Sequence, residues 1–220
     1  MTEEQGNLAR AERPKPHRRW RFRLPGAPDL LALLVAQGEV SVAGMAAFDA
    51  WSHGGGPDAA ASVRSAQHTA YHARRELLAA LQAALSSPVD QEDLYVLSER
   101  VDRILNRARS AVREAEVLGW TPDKYAADMS EQLAHGTGTL VKGLQVVIKD
   151  PEESGRRADA ASATVHQVER DYREAMAQLR HVDDLRAVLA AQDMYRSYLG
   201  VGDSIVHVAD RLWYVVLRGA

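Results

Sequence analysis

Apolar side chains recur every three or four positions along much of this chain, a spacing that places them on one face of a helix. The pattern is clearest in two stretches. Its members are Leu94, Leu97, Val101, Leu105, Ala108, Val112 and Ala115 in the first, and Leu185, Val188, Tyr195, Leu199, Val206, Ala209 and Trp213 in the second. The sequence has no alternating runs rich in β-branched residues, which would indicate strands. The pattern therefore predicts an all-α protein.

Helix-breaking stretches divide this pattern into six predicted helices. The breaks fall at Gly54-Gly55-Gly56-Pro57, Ser86-Ser87-Pro88 and Gly119. We expect a first helix over about residues 28–52 and a second over 58–85. The residues expected to begin the second to sixth helices are Asp58, Asp90 with Asp93 as a capping box, Thr121-Pro122, Asp150-Pro151, and Asp183 or Asp184.

Long helices joined by short loops pack as antiparallel neighbours, so we expect a six-helix bundle. Residues 20–118 and 119–220 each hold three predicted helices, and the second helix of each half carries a similar charged string, at 72–77 and 169–176. This similarity hints at two three-helix repeats. A chain of 220 residues is long enough for one sizeable core. We expect one domain over 20–220, preceded by a tail over 1–19.

Composition excludes several classes of function. Hydrophobic residues make up 46% of the chain and charged residues 26%, and the formal net charge of −3 argues against a dedicated nucleic-acid binder. The lack of cysteine excludes a disulfide scaffold, a thiolate metal site and a cysteine nucleophile. The apolar stretch over 30–51 is interrupted by Gln37, Gly38, Glu39 and Asp49. We therefore expect no membrane span and a cytoplasmic protein.

The first residues of the chain are unusually basic. Positive side chains crowd residues 10–23, where only Glu12 opposes them: Arg10, Arg13, Lys15, Arg18, Arg19, Arg21 and Arg23. Pro14, Pro16 and Pro25 argue against a continuous helix here. The stretch is either a solvated disordered segment or an arm for an anionic surface, namely the inner leaflet of the plasma membrane, an acidic protein patch or nucleic acid. The segment predicted to dock on a membrane or partner is Arg18, Arg19, Trp20, Arg21 and Arg23.

The sequence gives little sign of catalysis. The string of small residues over 135–139 lies inside a helical pattern and lacks the lysine and preceding strand of a nucleotide-binding loop. The eight histidines are scattered, and no serine–histidine–aspartate set can be assembled from them. We therefore expect a protein that is not an enzyme.

Pairs of polar residues at helical spacing form a candidate metal site. His68 and His72, Asp102 and Asn106, and Asp203 and His207 are each four apart, while His166 and Glu169 are three apart. Both spacings place two side chains on one helix face, and helical bundles bind metals through such residues from several helices. The alternative is local pairing of ordinary surface residues.

Two stretches resemble the PhoU-like phosphate transport regulators that accompany Pit-type phosphate transporters. Residues 87–106 match the stretch that begins the third helix of that family, at Pro88, Asp90, Glu92, Asp93, Tyr95, Leu97 and Asp102. Residues 193–217 match its closing stretch, at Met194, Tyr195, Asp203, Val208, Ala209, Asp210, Val216 and Leu217. Phe22-Arg23-Leu24 fits the start of the family as well.

The resemblance implies a bundle of two three-helix repeats and acidic motifs that bind iron or zinc clusters on its surface. The corresponding pairs here are Gln67 and Tyr71, Asp102 and Asn106, Val165 and Glu169, and Leu199 and Asp203. Three of these eight positions keep a carboxylate, so we expect the cluster to be lost. A rewired site for zinc or iron is the remaining hypothesis, with ligands from His68, His72, Asp102, Glu169, Asp203 and His207.

The resemblance also implies a function. It indicates a cytoplasmic regulatory or accessory protein of inorganic phosphate transport, which docks on a Pit-type phosphate permease or its signalling partner. An anionic membrane surface and a second copy of the chain are further expected partners, and nucleic acid is not. The alternatives are an interaction or scaffold bundle unrelated to phosphate, and a metal-dependent hydrolase or storage protein that uses the histidine-rich face.

Overall fold

The computed structural model describes residues 29–84 and 87–219, and these residues form long helices joined by short loops. The helices are α1 (Leu30–Ala50), α2 (Gly56–Ala83), α3 (Gln91–Leu118), α4 (Lys124–Val146), α5 (Pro151–Gln178) and α6 (Leu185–Leu217). A single 3₁₀ turn, Leu179–His181, follows α5. The residues in these ranges contain no strand, so the all-α prediction is confirmed.

The glycine-rich stretch after α1 kinks the chain. α1 joins α2 through a π-helical turn, Trp51–Gly55, with no loop between them, and the backbone leaves the helical region at His53 and Gly54. Gly54 and Gly56 have φ angles of 92° and 61°, a region that glycine enters readily and other residues rarely. With α1 and α2 joined in this way, the described residues form five helical segments instead of the predicted six separate helices. The two-repeat arrangement stays a prediction.

Aspartates begin three of the helices as predicted. Each accepts a hydrogen bond from a backbone N–H of the first turn at 2.9 Å, and the three are Asp90, Asp150 and Asp184. Gly119 ends α3 in the left-handed conformation, also as predicted.

Two predicted helix starts are wrong. α2 begins at Gly56, ahead of Asp58, and no side chain caps its first turn. α4 is capped by Asp123, whose side chain accepts a hydrogen bond from the N–H of Ala126 at 3.0 Å, and not by Thr121. Asp93 does not serve as the reciprocal member of a capping box at the start of α3, because its carboxylate is engaged by Arg211 of α6 and by Arg218, which follows α6.

α1 packs against three other helices, α2, α3 and α4. Its polar residues have partners there: the buried Gln37 exchanges two hydrogen bonds with Ser98 of α3, and Asp49 accepts one from Ser130 of α4. By length and composition, an 18-residue window within Leu30–Ala83 could cross a membrane, which corrects our expectation that its polar residues exclude one. Packing on several sides explains the apolar character of α1 in this fold.

α6 lies between α3 and α5 and runs antiparallel to α3. Ser197 near the start of α6 donates a hydrogen bond to Glu114 near the end of α3, while Arg211 near the end of α6 contacts Asp93 at the start of α3. In the core, the buried Tyr198 packs its ring 5.0 Å from that of Phe48. Gln37 of α1 pairs with Ser98 of α3, and Gly44, seven residues further on, lies against Leu105, so α1 is parallel to α3. α1 therefore starts at the end of the bundle where α6 finishes.

Candidate functional site

A shallow groove runs between α2 and α3 and is lined mainly by basic and aromatic side chains. Its larger part has a volume of about 460 Å³ and is lined by Arg64, Gln67, His68, Tyr71, His72 and Arg109. An adjoining part of about 340 Å³ is lined by Arg64, Arg109, Arg113 and Glu116. Because Arg64 and Arg109 line both parts, the two form one continuous surface, which we call the α2–α3 groove.

Helix periodicity places these side chains in the groove. Residues 64, 68 and 72 of α2 are each four apart and share one face, while Val63, Ala70 and Leu77 turn toward the core. On α3, Arg109 and Arg113 are also four apart, and their neighbours Ala108 and Val112 are fully buried. The two basic rows therefore face each other across the contact between α2 and α3.

The α2–α3 groove is positively charged. Three arginines line it against a single glutamate, which leaves two net positive charges with the histidines neutral. Arg64 forms an ion pair with Glu116 at 2.7 Å. Arg109 and Arg113 have no carboxylate partner among residues 29–84 and 87–219. A groove with this balance attracts anions and opposes the binding of cations.

Aromatic rings line the same groove on α2. The rings of His68 and His72 stack with their centroids 4.6 Å apart, and Tyr71 meets His72 edge-on at 5.6 Å. The Tyr71 hydroxyl accepts a hydrogen bond from Arg75 at 3.0 Å. All three rings are exposed, so their polar atoms are accessible to a bound molecule.

Asp102, predicted as a metal ligand, is engaged by other side chains. Its carboxylate accepts a hydrogen bond from the Asn106 amide at 2.7 Å and lies 3.5 Å from the Arg74 guanidinium. Burial raises the pKa of Asp102 above its ordinary value, although Arg74 and Asn106 act in the opposite direction. The carboxylate is thus part of a small polar cluster that joins α2 to α3.

The other predicted metal ligands are dispersed. Glu169 is exposed on α5 and lies 3.9 Å from Arg173, while Asp203 and His207 are exposed on α6. Of the six predicted ligands, only His68 and His72 contact each other. Within the part of the chain that the structure describes, no three histidine, aspartate or glutamate side chains are grouped to hold a metal ion. The geometry therefore gives the rewired metal site no support.

The sequence analysis missed the arginines of the α2–α3 groove. The spacing of four that links Arg64 to His68 and Arg109 to Arg113 is visible in the sequence, but the register of α2 against α3 is not. The predicted docking segment, Arg18, Arg19, Trp20, Arg21 and Arg23, lies outside the described residues.

No family model and no curated protein sequence matches this chain. Solved structures do match it. A PhoU-like protein from Shewanella oneidensis MR-1 has a TM-score of 0.66 at 17% identity, and covers 86% of this chain and 99% of its own. The chain has a PhoU-like fold. A PhoU-like phosphate regulatory protein from the same organism matches with a TM-score of 0.71 at 15% identity and the same coverage.

The resemblance carried by residues 87–106 and 193–217 is thus confirmed at the level of the fold. In this PhoU-like bundle, two of the positions where the resemblance implies acidic ligands are Gln67 and Tyr71, and both line the basic groove. Arg64 and Arg109 line the groove beside these two positions. The charge of this groove is therefore opposite to the one that acidic ligands would give it.

Proposed function

We propose that this chain is a non-enzymatic regulatory protein of inorganic phosphate transport, which acts by docking on a phosphate permease or its signalling partner. The observation that carries the proposal is the PhoU-like fold over 86% of the chain. One structural relative is a phosphate regulatory protein. The sequence resemblance in the third and sixth helices supports the same assignment independently of the overall shape.

The basic segment at the start of the chain supports a membrane-associated partner. Arg18, Arg19, Arg21 and Arg23 are interleaved with Trp20 and Phe22, a composition that suits the interface of an anionic membrane. The contact with the permease is accordingly assigned, as part of the proposal, to this basic segment.

The competing metal-dependent function has weaker support. The α2–α3 groove presents arginines instead of carboxylates, and Asp102 is occupied by Arg74 and Asn106. An interaction bundle unrelated to phosphate has no particular observation in its favour. We therefore retain regulation of phosphate transport as the function, and a cytoplasmic location with peripheral attachment to the plasma membrane as part of the proposal.

Affinity purification from native membranes tests the proposal. The tagged full chain is recovered from detergent-solubilised membranes of cells grown in high and low phosphate, and its partners are identified by mass spectrometry. We expect a Pit-type phosphate permease, in amounts that change with phosphate supply. Recovery of soluble proteins alone under both conditions would contradict the proposal.

A matched pair of variants locates the contact. Replacing Arg18, Arg19, Arg21 and Arg23 with glutamate is expected to reduce recovery of the permease. The control carries four substitutions to glutamate at exposed arginines of α5, the turn after it and α6, namely Arg170, Arg173, Arg180 and Arg196. Equal recovery with both variants would place the contact elsewhere on the bundle.

A further inference from the structure

We propose that the α2–α3 groove binds a small, multiply charged phosphate-type anion, held by Arg64, Arg109 and Arg113. Neither the PhoU-like fold nor the resemblance assigns such a site to these residues. The inference does not depend on the proposed function, because binding is measured on the purified chain without a permease.

The first argument is the unbalanced charge. Arg109 and Arg113 line the groove without a carboxylate partner in the described part of the chain, whereas several other arginines of the bundle are paired, among them Arg103 with Glu99 and Arg157 with Glu153. Placing two guanidinium groups four residues apart on one helix face is unfavourable in the absence of a counter-charge. An anion between them removes that repulsion.

The second argument is convergence from two helices. Arg64 comes from α2 and Arg109 and Arg113 from α3, and together they line one concave surface. Guanidinium groups present pairs of N–H donors in a fork that matches the oxygens of a phosphate group. Three such forks around one concavity favour a compact anion with two or more negative charges.

The third argument is the supply of neutral donors beside the arginines. Gln67, His68, Tyr71 and His72 line the larger part of the groove, and each has a polar group that can donate a hydrogen bond to an oxyanion. The volumes of about 460 and 340 Å³ suit a small molecule.

Glu116 competes with a bound anion for Arg64. Its carboxylate occupies Arg64 at 2.7 Å, but both side chains are about half exposed, at 44% for Arg64 and 48% for Glu116. Exposed ion pairs of this kind are weak. A bound anion can therefore displace Glu116 from Arg64, and removal of the glutamate charge should strengthen anion binding.

Calorimetry with inorganic pyrophosphate tests the proposal on the full chain at low ionic strength. We expect one molecule to bind per chain, and binding to weaken as salt is added. The variant with Arg109→Gln and Arg113→Gln should bind at least tenfold more weakly, and Glu116→Gln several-fold more tightly. The control Arg170→Gln, at an exposed arginine of α5, should bind as the parent does. Circular dichroism of each variant confirms that it is folded.

Two further probes test whether the groove binds an anionic lipid or an acidic protein segment instead of a small anion. Vesicles that contain phosphatidic acid test a lipid headgroup, and an oligoglutamate peptide tests an acidic protein segment. Both are used with the variant that has glutamate at Arg18, Arg19, Arg21 and Arg23, so that the basic segment does not bind them. Pyrophosphate binding that is weakened by the arginine substitutions and strengthened by Glu116→Gln supports the proposal. Pyrophosphate binding that is unchanged by both substitutions overturns it, and so does the absence of pyrophosphate binding, whether or not the vesicles or the peptide bind.

Discussion

Asp93 is a buried charge that joins the start of α3 to the end of α6. Only 3% of its side chain is exposed, and its carboxylate lies 2.5 Å from Arg211 and 3.5 Å from Arg218. The contact with Arg211 is an ion pair without the alignment of a hydrogen bond, since the carboxylate oxygen involved has no hydrogen-bond partner. Both arginines also lie over the ring of Tyr214. The start of α3 is thereby fixed to the end of α6.

Replacing Arg211 with methionine is expected to destabilise the fold by about 3 kcal/mol, because it leaves the Asp93 charge buried and only partly compensated. Methionine keeps most of the packing of the arginine stem. The free energy of unfolding from urea titration measures the effect. Arg196→Met, at an exposed position of the same helix, should change stability by less than about 0.5 kcal/mol. Equal effects of the two substitutions would show that the Asp93 ion pair is not structural.

Asp102 provides a prediction about pH. Burial raises the pKa of this carboxyl in the folded protein, so its contribution to stability is fully present below the ordinary aspartate pKa of about 3.9 and is lost as pH rises through the folded value. Asp102→Asn removes this dependence. The variant should therefore gain stability relative to the parent between pH 4 and pH 7. Urea midpoints across that range measure the difference, and a variant that loses stability steadily as pH rises would contradict the assignment.

The π turn between α1 and α2 is the element whose conformation depends most directly on glycine. An added Cβ at Gly54 or Gly56 would meet no atom within 4 Å, so substitution there costs only the strain of a positive φ angle. Gly54→Ala and Gly56→Ala should each destabilise the fold by about 1–2 kcal/mol.

Gly138 supplies the matched control for this turn. It lies inside α4, and an added Cβ there also meets no atom within 4 Å. Gly138→Ala should stabilise the protein by about 0.5–1 kcal/mol, because alanine is the better helix former. Thermal unfolding compares the three variants, and the same sign at Gly54 and Gly138 would refute the role given to the positive φ angle.

The sequence rules for helix caps and helix breaks predicted most of the helix ends. They failed where the outcome depended on how neighbouring helices join or pack. Asp90, Asp150, Asp184 and Gly119 act as expected because caps depend on a few neighbouring residues. The glycine stretch was expected to separate two helices, but α1 joins α2 there through a kinked π turn with no loop between them. The way in which two helices are joined across such a turn cannot be read from residue types alone.

The candidate site was less predictable than the helices. His68 and His72 were found by their spacing, but their partners across the groove were not, because no sequence pattern relates residues 64–72 to residues 109–116. The acidic positions implied by the resemblance led to the prediction of metal ligands. In the folded chain, arginines line the α2–α3 groove, and their charge favours an anionic ligand.

At the scale of the whole molecule, the described residues form a long helical bundle. α6 alone has 33 residues and therefore extends for about 50 Å. α1 starts at the end of the bundle where α6 finishes, and the groove formed by α2 and α3 lies along its flank.

The full chain is expected to bind vesicles that contain an anionic lipid. Each basic residue near such a surface contributes about 1 kcal/mol, so replacing Arg18, Arg19, Arg21 and Arg23 with glutamate should weaken binding at least a hundredfold. Vesicle cosedimentation at low and high salt measures the loss. Glutamate at the four exposed arginines of the control variant, Arg170, Arg173, Arg180 and Arg196, should leave most of the binding intact.

Phosphate uptake by intact cells tests the central claim most directly. Uptake of radiolabelled phosphate is measured after a shift from high to low supply, in cells that lack the protein and in cells complemented with the full chain. Regulation of phosphate transport predicts that the lack of the protein changes how uptake responds to the shift and that the full chain restores the response. Identical uptake in the two kinds of cell, at both levels of supply, would contradict it.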